Sequence, residues 1–306
     1  MKYMAKKKRK LNVINLLILL GICLCMSLGF VVFTYKTKTV SINPEEINNI
    51  DYSETEKLDL ELSSDKYLLI RLNDFKVLYG DKTDERFYPA SLTKVVTMDA
   101  LLHNVDDVNS TSSYSAAQYN ELIAQNASIA GLSVNRDYSL EELLYALILP
   151  SGADAAMALE NYCEDNNISL TEEMNKLSKE LELKDSSFVN TTGLHDEKLS
   201  TTLEDYTALI VDTLKNDTGK KILKTMVYYG ESGTYQSSLY ALYHNGYVDV
   251  LGGKTGFTYE AGLNLAVLYQ VNNRAYLLLL ANADGEYYMH NNINDALKIF
   301  EYLYGG

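Results

Sequence analysis

The sequence predicts an α+β fold in which both ends of one domain form an antiparallel β-sheet and a cluster of helices lies between them. Residues 66–72 and 76–79 have the composition of two strands around an Asn-Asp pair, which is typical of a β-hairpin. Residues 263–271 and 275–283 flank an Asn-Asn pair and predict two further antiparallel strands. Because helical patterns fill the stretch between, we expect the strands from the two ends to share one sheet.

The helical middle of the chain has its own start signals. Ser139 and Glu142 form a capping-box pattern ahead of an apolar helix, and Thr201 and Glu204 repeat the pattern before a second helix. A closing helix is predicted over residues 292–304.

The first 40 residues differ in composition from the rest of the chain. An apolar run over residues 13–33 is long enough to cross a bilayer as a helix, and the basic residues before it predict a cytoplasmic N-terminus and an exported remainder. No small-x-small cleavage site follows, which favours an uncleaved signal-anchor over a removed signal peptide. We therefore predict a cytoplasmic basic tail with a transmembrane signal-anchor over residues 1–40, an acidic tether over residues 41–64 and one large extracytoplasmic domain over residues 65–306. The basic residues are Lys2, Lys6, Lys7, Lys8, Arg9 and Lys10.

Charge is divided sharply along the chain, whose net charge is −14. Residues 1–40 contain eight Lys and Arg and no Asp or Glu, so the rest holds 19 Lys and Arg against 41 Asp and Glu, a net charge of −22. An acidic domain repels phosphates, which excludes nucleic acid as a partner.

The cysteines and histidines predict neither a disulfide nor a metal site. Cys163 is alone in the predicted exported domain, since Cys23 and Cys25 lie in the apolar run. The four histidines are scattered and form no cluster with cysteines or carboxylates at metal-ligand spacing. We therefore expect no metal and no cofactor. The histidines are His103, His195, His244 and His290, and the sequence leaves His195 either near a cleft or on a surface loop.

Three short segments contain the residue types of a serine acyl-transfer site: Ser-Leu-Thr-Lys at 91–94, Ser-Gly-Ala at 151–153 and Lys-Thr-Gly at 254–256. A serine hydroxyl is a weak nucleophile until a nearby base takes its proton. Residues three apart lie on one face of a helix, so Lys94 is the predicted base for Ser91. Burial and the charge of Lys254 are expected to lower the pKa of its amine. Ser151 is expected to relay a proton to the leaving group.

The reaction also needs donors for the oxyanion that forms on the attacked carbonyl. The backbone amides of Ser91 and Phe257 are the predicted pair, because Phe257 follows Lys-Thr-Gly on a strand edge. Each segment alone has a plain structural interpretation: a helix start at Ser91, a helix cap at Ser151 and a strand ending in a turn at Lys254. Their order and wide spacing favour the catalytic interpretation.

The flanking residues narrow the family. S-x-x-K, S-x-N and K-T-G are the elements of the penicillin-recognising serine acyl-transferases. Residues 88–97, 143–156 and 253–262, with Phe188-Val-Asn-Thr-Thr-Gly-Leu194, resemble segments of the serine-type D-alanyl-D-alanine carboxypeptidases, the low-molecular-mass penicillin-binding proteins of peptidase family S11. The resemblance extends from about residue 66 to residue 285.

This resemblance implies a transpeptidase/β-lactamase-like fold and a defined reaction. The implied substrate is a peptidoglycan pentapeptide ending in D-Ala-D-Ala: Ser91 would release the terminal D-Ala, and water would then hydrolyse the acyl-enzyme. β-Lactams would acylate the same serine as covalent inhibitors. The two threonines of the implied substrate-binding strand would hold the terminal carboxylate. That strand comprises Lys254, Thr255, Gly256, Phe257 and Thr258.

Ala153 departs from the family pattern, in which Asn is usual at that position. Alanine removes hydrogen bonds that position the substrate but no proton-transfer group, so we expect slower turnover or a looser substrate preference.

Two alternatives remain: a catalytically weak penicillin-binding or sensor protein, which Ala153 favours, and a class A-like β-lactamase. The latter needs a second base, usually Glu in an E-x-x-L-N loop, and the nearest segment, Glu180-Leu-Glu-Leu-Lys184, has Lys in place of Asn.

Overall fold

The computed structural model describes residues 50–53 and 55–305. The predicted cytoplasmic tail, the signal-anchor and the first part of the tether lie outside the described residues. Within the described ranges, no helix is both long and apolar enough to cross a bilayer. The end of the tether lies against the domain: Leu58 is buried, its amide donates to the Tyr67 hydroxyl at 2.8 Å, and Glu56 forms a bridge to Tyr79.

Strands from both ends of the domain form its main sheet. The strands are β1 (Ser64–Arg71), β2 (Lys76–Asp81), β3 (Thr111–Ser112), β4 (Tyr138–Ser139), β5 (Val227–Tyr229), β6 (Thr234–Gln236), β7 (Asp249–Thr258), β8 (Gly262–Val271) and β9 (Arg274–Ala283). Five of them pair antiparallel in the order β2-β1-β9-β8-β7, so β7 is an edge strand. Leu279 of β9 lies opposite Leu68 of β1 on one side and Ala266 of β8 on the other. The predicted sheet and both predicted hairpins are confirmed.

The helices lie mostly between the two groups of strands, as predicted. They are α1 (Thr93–Asn104), α2 (Ala116–Ala124), α3 (Leu140–Ile148), α4 (Ala153–Asp165), α5 (Leu170–Glu180), α6 (Leu203–Lys215), α7 (Asp217–Leu223) and α8 (Asn291–Tyr304). The first seven precede β7 in the chain, and α8 is the predicted closing helix.

Both faces of the main sheet are covered. Successive side chains of a strand point to opposite faces, so Leu68 and Ile70 of β1 pack with the helical cluster, whereas Tyr67 and Leu69 pack with α8. Phe300 of α8 is fully buried in this second cluster. The α1 helix runs through the larger cluster, with Val95, Val96 and Met98 fully buried.

The two predicted capping boxes are only partly present. Ser139 Oγ accepts from the Glu142 amide at 3.2 Å at the start of α3, but the Glu142 carboxylate does not bond back to the cap. It accepts hydrogen bonds from backbone amides in the β5–β6 turn instead. The second prediction was wrong by one residue, because Thr202 rather than Thr201 caps α6 and accepts from the Asp205 amide at 3.1 Å.

Candidate active site

Ser91 lies in a 3₁₀ turn, Ala90–Leu92, that leads directly into α1. Ala90 has a φ of 49°, in the left-handed region that strains an L-residue by about 1–2 kcal/mol. Such strain persists only where the surrounding structure enforces it, and it is common at functional sites. Two glycines make room for the turn: a Cβ at Gly193 would lie 2.0 Å from the Ala90 carbonyl oxygen, and one at Gly256 would lie 3.2 Å from the Ser91 amide nitrogen.

Polar contacts from two other elements hold the same turn. The Tyr206 hydroxyl of α6 donates to the Leu92 carbonyl at 3.0 Å, and the Asn264 side-chain amide of β8 donates to the Tyr88 carbonyl at 2.8 Å. Asn264 is fully buried, and its Oδ1 accepts from the Asn282 amide at 2.9 Å. The position of Ser91 is therefore fixed from both the helical cluster and the sheet.

Lys94 lies one helical turn after Ser91, and its amine contacts the hydroxyl of that serine. Lys94 Nζ donates to Ser91 Oγ at 3.0 Å and to the Thr192 carbonyl at 2.7 Å. Burial lowers the pKa of Lys94 to about 7, and the charge of Asp154 acts in the opposite direction. An amine with a pKa near neutrality is partly unprotonated at pH 7, so it is suited to accept a proton from the hydroxyl beside it.

Lys254, on β7, is a second buried lysine. Its Nζ donates to the Thr255 carbonyl at 2.9 Å. Burial lowers the pKa of Lys254 well below its usual value, and the charge of Lys94 lowers it further. A proton on one amine therefore disfavours a proton on the other, as expected for two like charges in a buried site.

Ser151 lies in the tight connection between α3 and α4, and Ala153 is the residue with which α4 starts. Ser151 has a φ of 66°, and its buried hydroxyl has no hydrogen-bond partner among the described residues. A buried hydroxyl without a partner costs free energy, which a bound polar group can offset. Ala153 begins α4 and lines the same cleft as Lys94, and its amide donates to the Ser128 carbonyl at 2.7 Å.

A contact that the sequence did not predict joins the second segment to the third. Thr255 Oγ1 lies 2.8 Å from Ser238 Oγ, and the Ser238 amide donates to the Leu149 carbonyl at 3.0 Å. Leu149 is two residues before Ser151. Ser238 therefore links the Ser151 connection to β7, although its own loop has no periodic pattern that marks it.

The cleft in front of Ser91 has a volume of about 720 Å³. The predicted residues Ser91, Lys94, Phe257 and Thr258 line it, together with Ala153. The other four predicted residues are not among those that line it, namely Ser151, Lys254, Thr255 and Gly256. Four carboxylate residues line it as well: Glu121, Glu160, Asp196 and Glu260.

Two polar residues that the sequence did not single out shape the surroundings of Lys94. The buried Asp154 carboxylate accepts hydrogen bonds from the amides of residues 130–132 at 2.9–3.0 Å. Asn190 Oδ1 accepts from the Gly193 amide at 2.7 Å and the Thr192 amide at 3.2 Å, which forms the turn that presents the Thr192 carbonyl to the lysine. Both residues lie in segments that carry the family resemblance. The partners of Asp154 are 22–24 residues away in sequence, whereas those of Asn190 are only two and three residues away.

Aromatic side chains form one wall of the cleft. The Phe257 ring lies 5.5 Å from Tyr259 and 5.8 Å from Tyr287, measured between centroids, and Tyr259 is 81% exposed. His195 also lines the cleft and contacts Tyr88 edge-on, with centroids 4.7 Å apart. Of the two locations that the sequence left open for His195, the structure selects the cleft.

Comparison with known families agrees with this geometry. A family model described as D-alanyl-D-alanine carboxypeptidase matches residues 52–284. The chain belongs to this family. The D-alanyl-D-alanine carboxypeptidase DacF of Bacillus subtilis is 29% identical over 198 residues, which cover 63% of this chain and 51% of that relative. The chain spans about half the length of the first curated relatives it matches.

Solved structures share the fold of this D-alanyl-D-alanine carboxypeptidase family member. The DD-transpeptidase of Streptomyces K15 superposes with a TM-score of 0.70 at 22% identity, covering 81% of this chain and 98% of that one. Penicillin-binding protein D2 of Listeria monocytogenes, solved in an ampicillin-bound form, gives 0.65 at 20% identity, with 80% and 98% covered. The predicted transpeptidase-like α+β fold is confirmed.

The carboxylate that a class A-like β-lactamase would need does not come from residues 180–184, the segment nearest to the β-lactamase pattern. Glu180 ends α5 and lines a separate small cavity with His103 and Lys176, and neither Glu180 nor Glu182 lines the cleft of Ser91. Glu160 of α4 does line that cleft, and burial raises its pKa.

Proposed function

We propose that this chain is a serine D-Ala-D-Ala carboxypeptidase that removes the terminal D-alanine from peptidoglycan stem pentapeptides. The observation that carries the proposal is the Ser91–Lys94 pair, in which a hydroxyl lies 3.0 Å from an amine whose pKa burial lowers to about 7. A hydroxyl beside such a base is an activated nucleophile. Family membership adds the reaction for which the relatives are named.

In the acylation step, Lys94 takes the proton of Ser91, and Ser91 Oγ attacks the carbonyl carbon of the penultimate D-Ala. The resulting oxyanion is stabilised by the amides of Ser91 and Phe257, and Gly256 supports this arrangement by letting β7 approach the Ser91 turn. The C–N bond then breaks. The proton on Lys94 passes to the leaving D-alanine amine through the Ser151 hydroxyl, which is buried and has no competing hydrogen bond among the described residues.

Water completes the cycle by attacking the acyl-enzyme ester, with Lys94 again as the base. During binding, Thr255 and Thr258 hold the terminal carboxylate of the substrate. A carboxylate in this position favours the protonated form of Lys254, because an opposite charge nearby offsets the cost of burial. Substrate binding thus supplies the counter-charge that Lys254 lacks in the free protein.

Release of D-alanine tests the proposal. The purified full chain should release D-alanine from a pentapeptide ending in D-Ala-D-Ala, and Ser91→Ala should abolish release. Ser53→Ala, which alters an exposed serine, should behave as the wild type. Undiminished release by Ser91→Ala would contradict the assignment of the nucleophile.

A catalytically weak penicillin-binding or sensor protein is the second candidate, and Ala153 favours it. The side chain at that position lines the cleft but offers no hydrogen bond to a substrate. The two candidates differ in the fate of the acyl-enzyme. A single burst of acylated Ser91 without continued D-alanine release would support the sensor, whereas repeated turnover would exclude it.

We infer that β-lactams acylate Ser91. The lactam amide resembles the D-Ala-D-Ala amide, and the Listeria neighbour was solved in an ampicillin-bound form. Intact-mass spectrometry with peptide mapping should place one penicillin adduct on Ser91. An adduct that persists in Ser91→Ala would refute this inference.

We also propose that residues 1–40 anchor the protein in the cell membrane with the N-terminus in the cytoplasm. Residues 41–64 then tether an extracytoplasmic domain over residues 65–306. The basic residues ahead of the apolar run at 13–33 support this orientation. A protease added to intact protoplasts should remove the domain, and full protection would refute the topology.

A further inference from the structure

A second group of ionisable side chains lies away from the cleft, between α1 and α6. Asp99 and His103 are four residues apart on α1 and share one helix face, and Asp212 of α6 completes the group. One oxygen or nitrogen from each of the three side chains lies within 4.8 Å of the other two. None of the three residues lines the cleft that contains Ser91.

The distances fit the coordination of a divalent transition metal ion. His103 Nε2 lies 3.0 Å from Asp212 Oδ2 and 3.9 Å from Asp99 Oδ1. A tetrahedral zinc ion, with bonds of about 2.0–2.2 Å, holds its ligand atoms about 3.4 Å apart. The distance from His103 to Asp212, 3.0 Å, is somewhat shorter than this separation, and the distance from His103 to Asp99, 3.9 Å, is somewhat longer. Imidazole and carboxylate are both ordinary zinc ligands.

An independent observation concerns the carboxylate oxygens. The Asp99 side chain is fully buried, and neither of its oxygens has a hydrogen-bond partner among the described residues. Asp212 Oδ2 is also without one, since His103 is close to it but not aligned for a hydrogen bond. The other Asp212 oxygen accepts from Lys215 at 2.9 Å.

A nearby positive charge would stabilise the unpartnered oxygens of Asp99 and Asp212. Asp99 is fully buried and Asp212 nearly so, and a buried anionic carboxylate is costly unless a cation lies beside it. One shared proton would join only two of the three unpartnered oxygens. A cation between the side chains attracts all three.

We propose that Asp99, His103 and Asp212 bind a divalent transition metal ion, for which zinc is the probe. The His103 side chain is 41% exposed, so the ion can enter from solvent and a water molecule can complete its coordination. This site revises the expectation, drawn from the sequence, that the chain has no metal cluster. Asp212 is too distant in sequence from the other two residues for spacing to reveal the group.

The ion has a structural role because of the two helices it joins. The α1 helix carries Lys94 near its start, and Tyr206 of α6 holds the turn that contains Ser91. A metal that links the later parts of these helices stabilises their packing without contacting the substrate. The proposal is independent of the proposed carboxypeptidase activity, because its readouts are metal binding and thermal stability.

Calorimetric titration of the chelator-treated full chain with zinc should show one site. Zinc should also raise the melting temperature by roughly 5–10 °C when its free concentration is about a hundred times the dissociation constant. His103→Ala should abolish both effects, and His244→Ala, which alters another exposed histidine, should retain them. Far-UV circular dichroism of both variants establishes that they fold.

Cobalt provides a second measurement at the same site. Bound Co²⁺ should give visible absorption typical of nitrogen and oxygen coordination, and Asp212→Asn should remove that absorption. Absence of zinc binding, or zinc binding that His103→Ala leaves unchanged, would overturn the proposal. So would an Asp99→Asn variant that keeps the full thermal response to zinc, because Asp99 would then not be a ligand.

Discussion

Lys94 is buried within reach of the opposite charge of Asp154, and that environment sets its chemistry. Burial lowers the pKa of its amine to about 7, while the Asp154 charge prevents a larger fall. Asp154 is itself fully buried, with amides of residues 130–132 donating to its carboxylate. These hydrogen bonds hold the Asp154 carboxylate in place, so a loop beside the cleft helps to adjust the base.

The rate of acylation should therefore rise with pH through about 7 and then level off, because the neutral form of Lys94 is the base. A lysine at the ordinary pKa of 10.5 would place the rise several pH units higher. Asp154→Asn removes the charge that raises this pKa, so its midpoint should move to lower pH. Second-order rate constants for penicillin acylation between about pH 5 and 9 measure both effects; an upward shift in Asp154→Asn would contradict the assignment.

Ala153 departs from the family pattern, and its replacement provides a second prediction. If another group or a water molecule replaces the missing amide, Ala153→Asn should change turnover by a factor of about ten or less, since one neutral hydrogen bond contributes about 1 kcal/mol. Lys254→Ala should reduce turnover far more, because it removes a charge from the surroundings of the oxyanion and of Lys94. Steady-state D-alanine release ranks the variants. A thousandfold rise in Ala153→Asn from near zero would instead identify the wild type as a binding protein.

At the scale of elements, the Ser91 turn is a junction where backbone from three segments approaches closely. Gly193, in the loop before α6, has a φ of 77° and lies against the Ala90 carbonyl. Gly256 brings β7 to the Ser91 amide from another direction. Side chains at these positions would separate the segments that carry the nucleophile, the Thr192 carbonyl and the Phe257 amide.

Gly193→Ala should therefore damage both stability and turnover. Gly246 provides a matched control, because its φ of 80° is similar but a Cβ there would have no atom within 4 Å. Gly246→Ala should cost about 1–2 kcal/mol from backbone strain alone. Gly193→Ala should cost more, because its Cβ would lie 2.0 Å from the Ala90 carbonyl oxygen. Urea unfolding and penicillin acylation rates compare the two; equal losses would show that the close approach is unimportant.

The elements also show which features a sequence can predict. The hairpins around Asn73 and Asn272 and the closing helix depend on local composition and periodicity, and the structure confirms them. The role of Glu142 was missed because its carboxylate bonds to a turn about 90 residues later. The Ser91–Lys94 contact was predictable because both residues lie on one helical turn.

Other parts of the site depend on contacts between distant segments. Asp154, Ser238 and the Thr192 carbonyl meet their partners only when loops from different parts of the chain pack together. The positions of these residues in the sequence do not predict those contacts. Motif spacing predicted the reacting pair, whereas the groups that adjust and support it required the fold.

At the scale of the whole domain, the site and the closing helix lie in different parts of the structure. The Ser91 turn and α1 belong to the helical cluster on one face of the main sheet, and α8 covers the other face. The sheet separates them, with the Lys254 strand at its edge. Because strands from both ends of the domain pair in its centre, the sheet forms only when the two ends meet.

This arrangement predicts that the packing of α8 affects stability but not chemistry. Phe300 is fully buried and lies 4.8 Å from the Tyr269 ring, so Phe300→Ala should lower the free energy of unfolding by about 3–5 kcal/mol. Tyr302→Ala, at a 51% exposed position on the same helix, should change it by less than about 0.5 kcal/mol.

D-alanine release should be unchanged in both variants when it is expressed per Ser91 that labelled penicillin can acylate, since the sheet lies between α8 and the cleft. Urea unfolding and penicillin titration provide the two measurements. A fall in turnover per acylated site in Phe300→Ala, with Tyr302→Ala unaffected, would show that α8 is coupled to the site through the sheet.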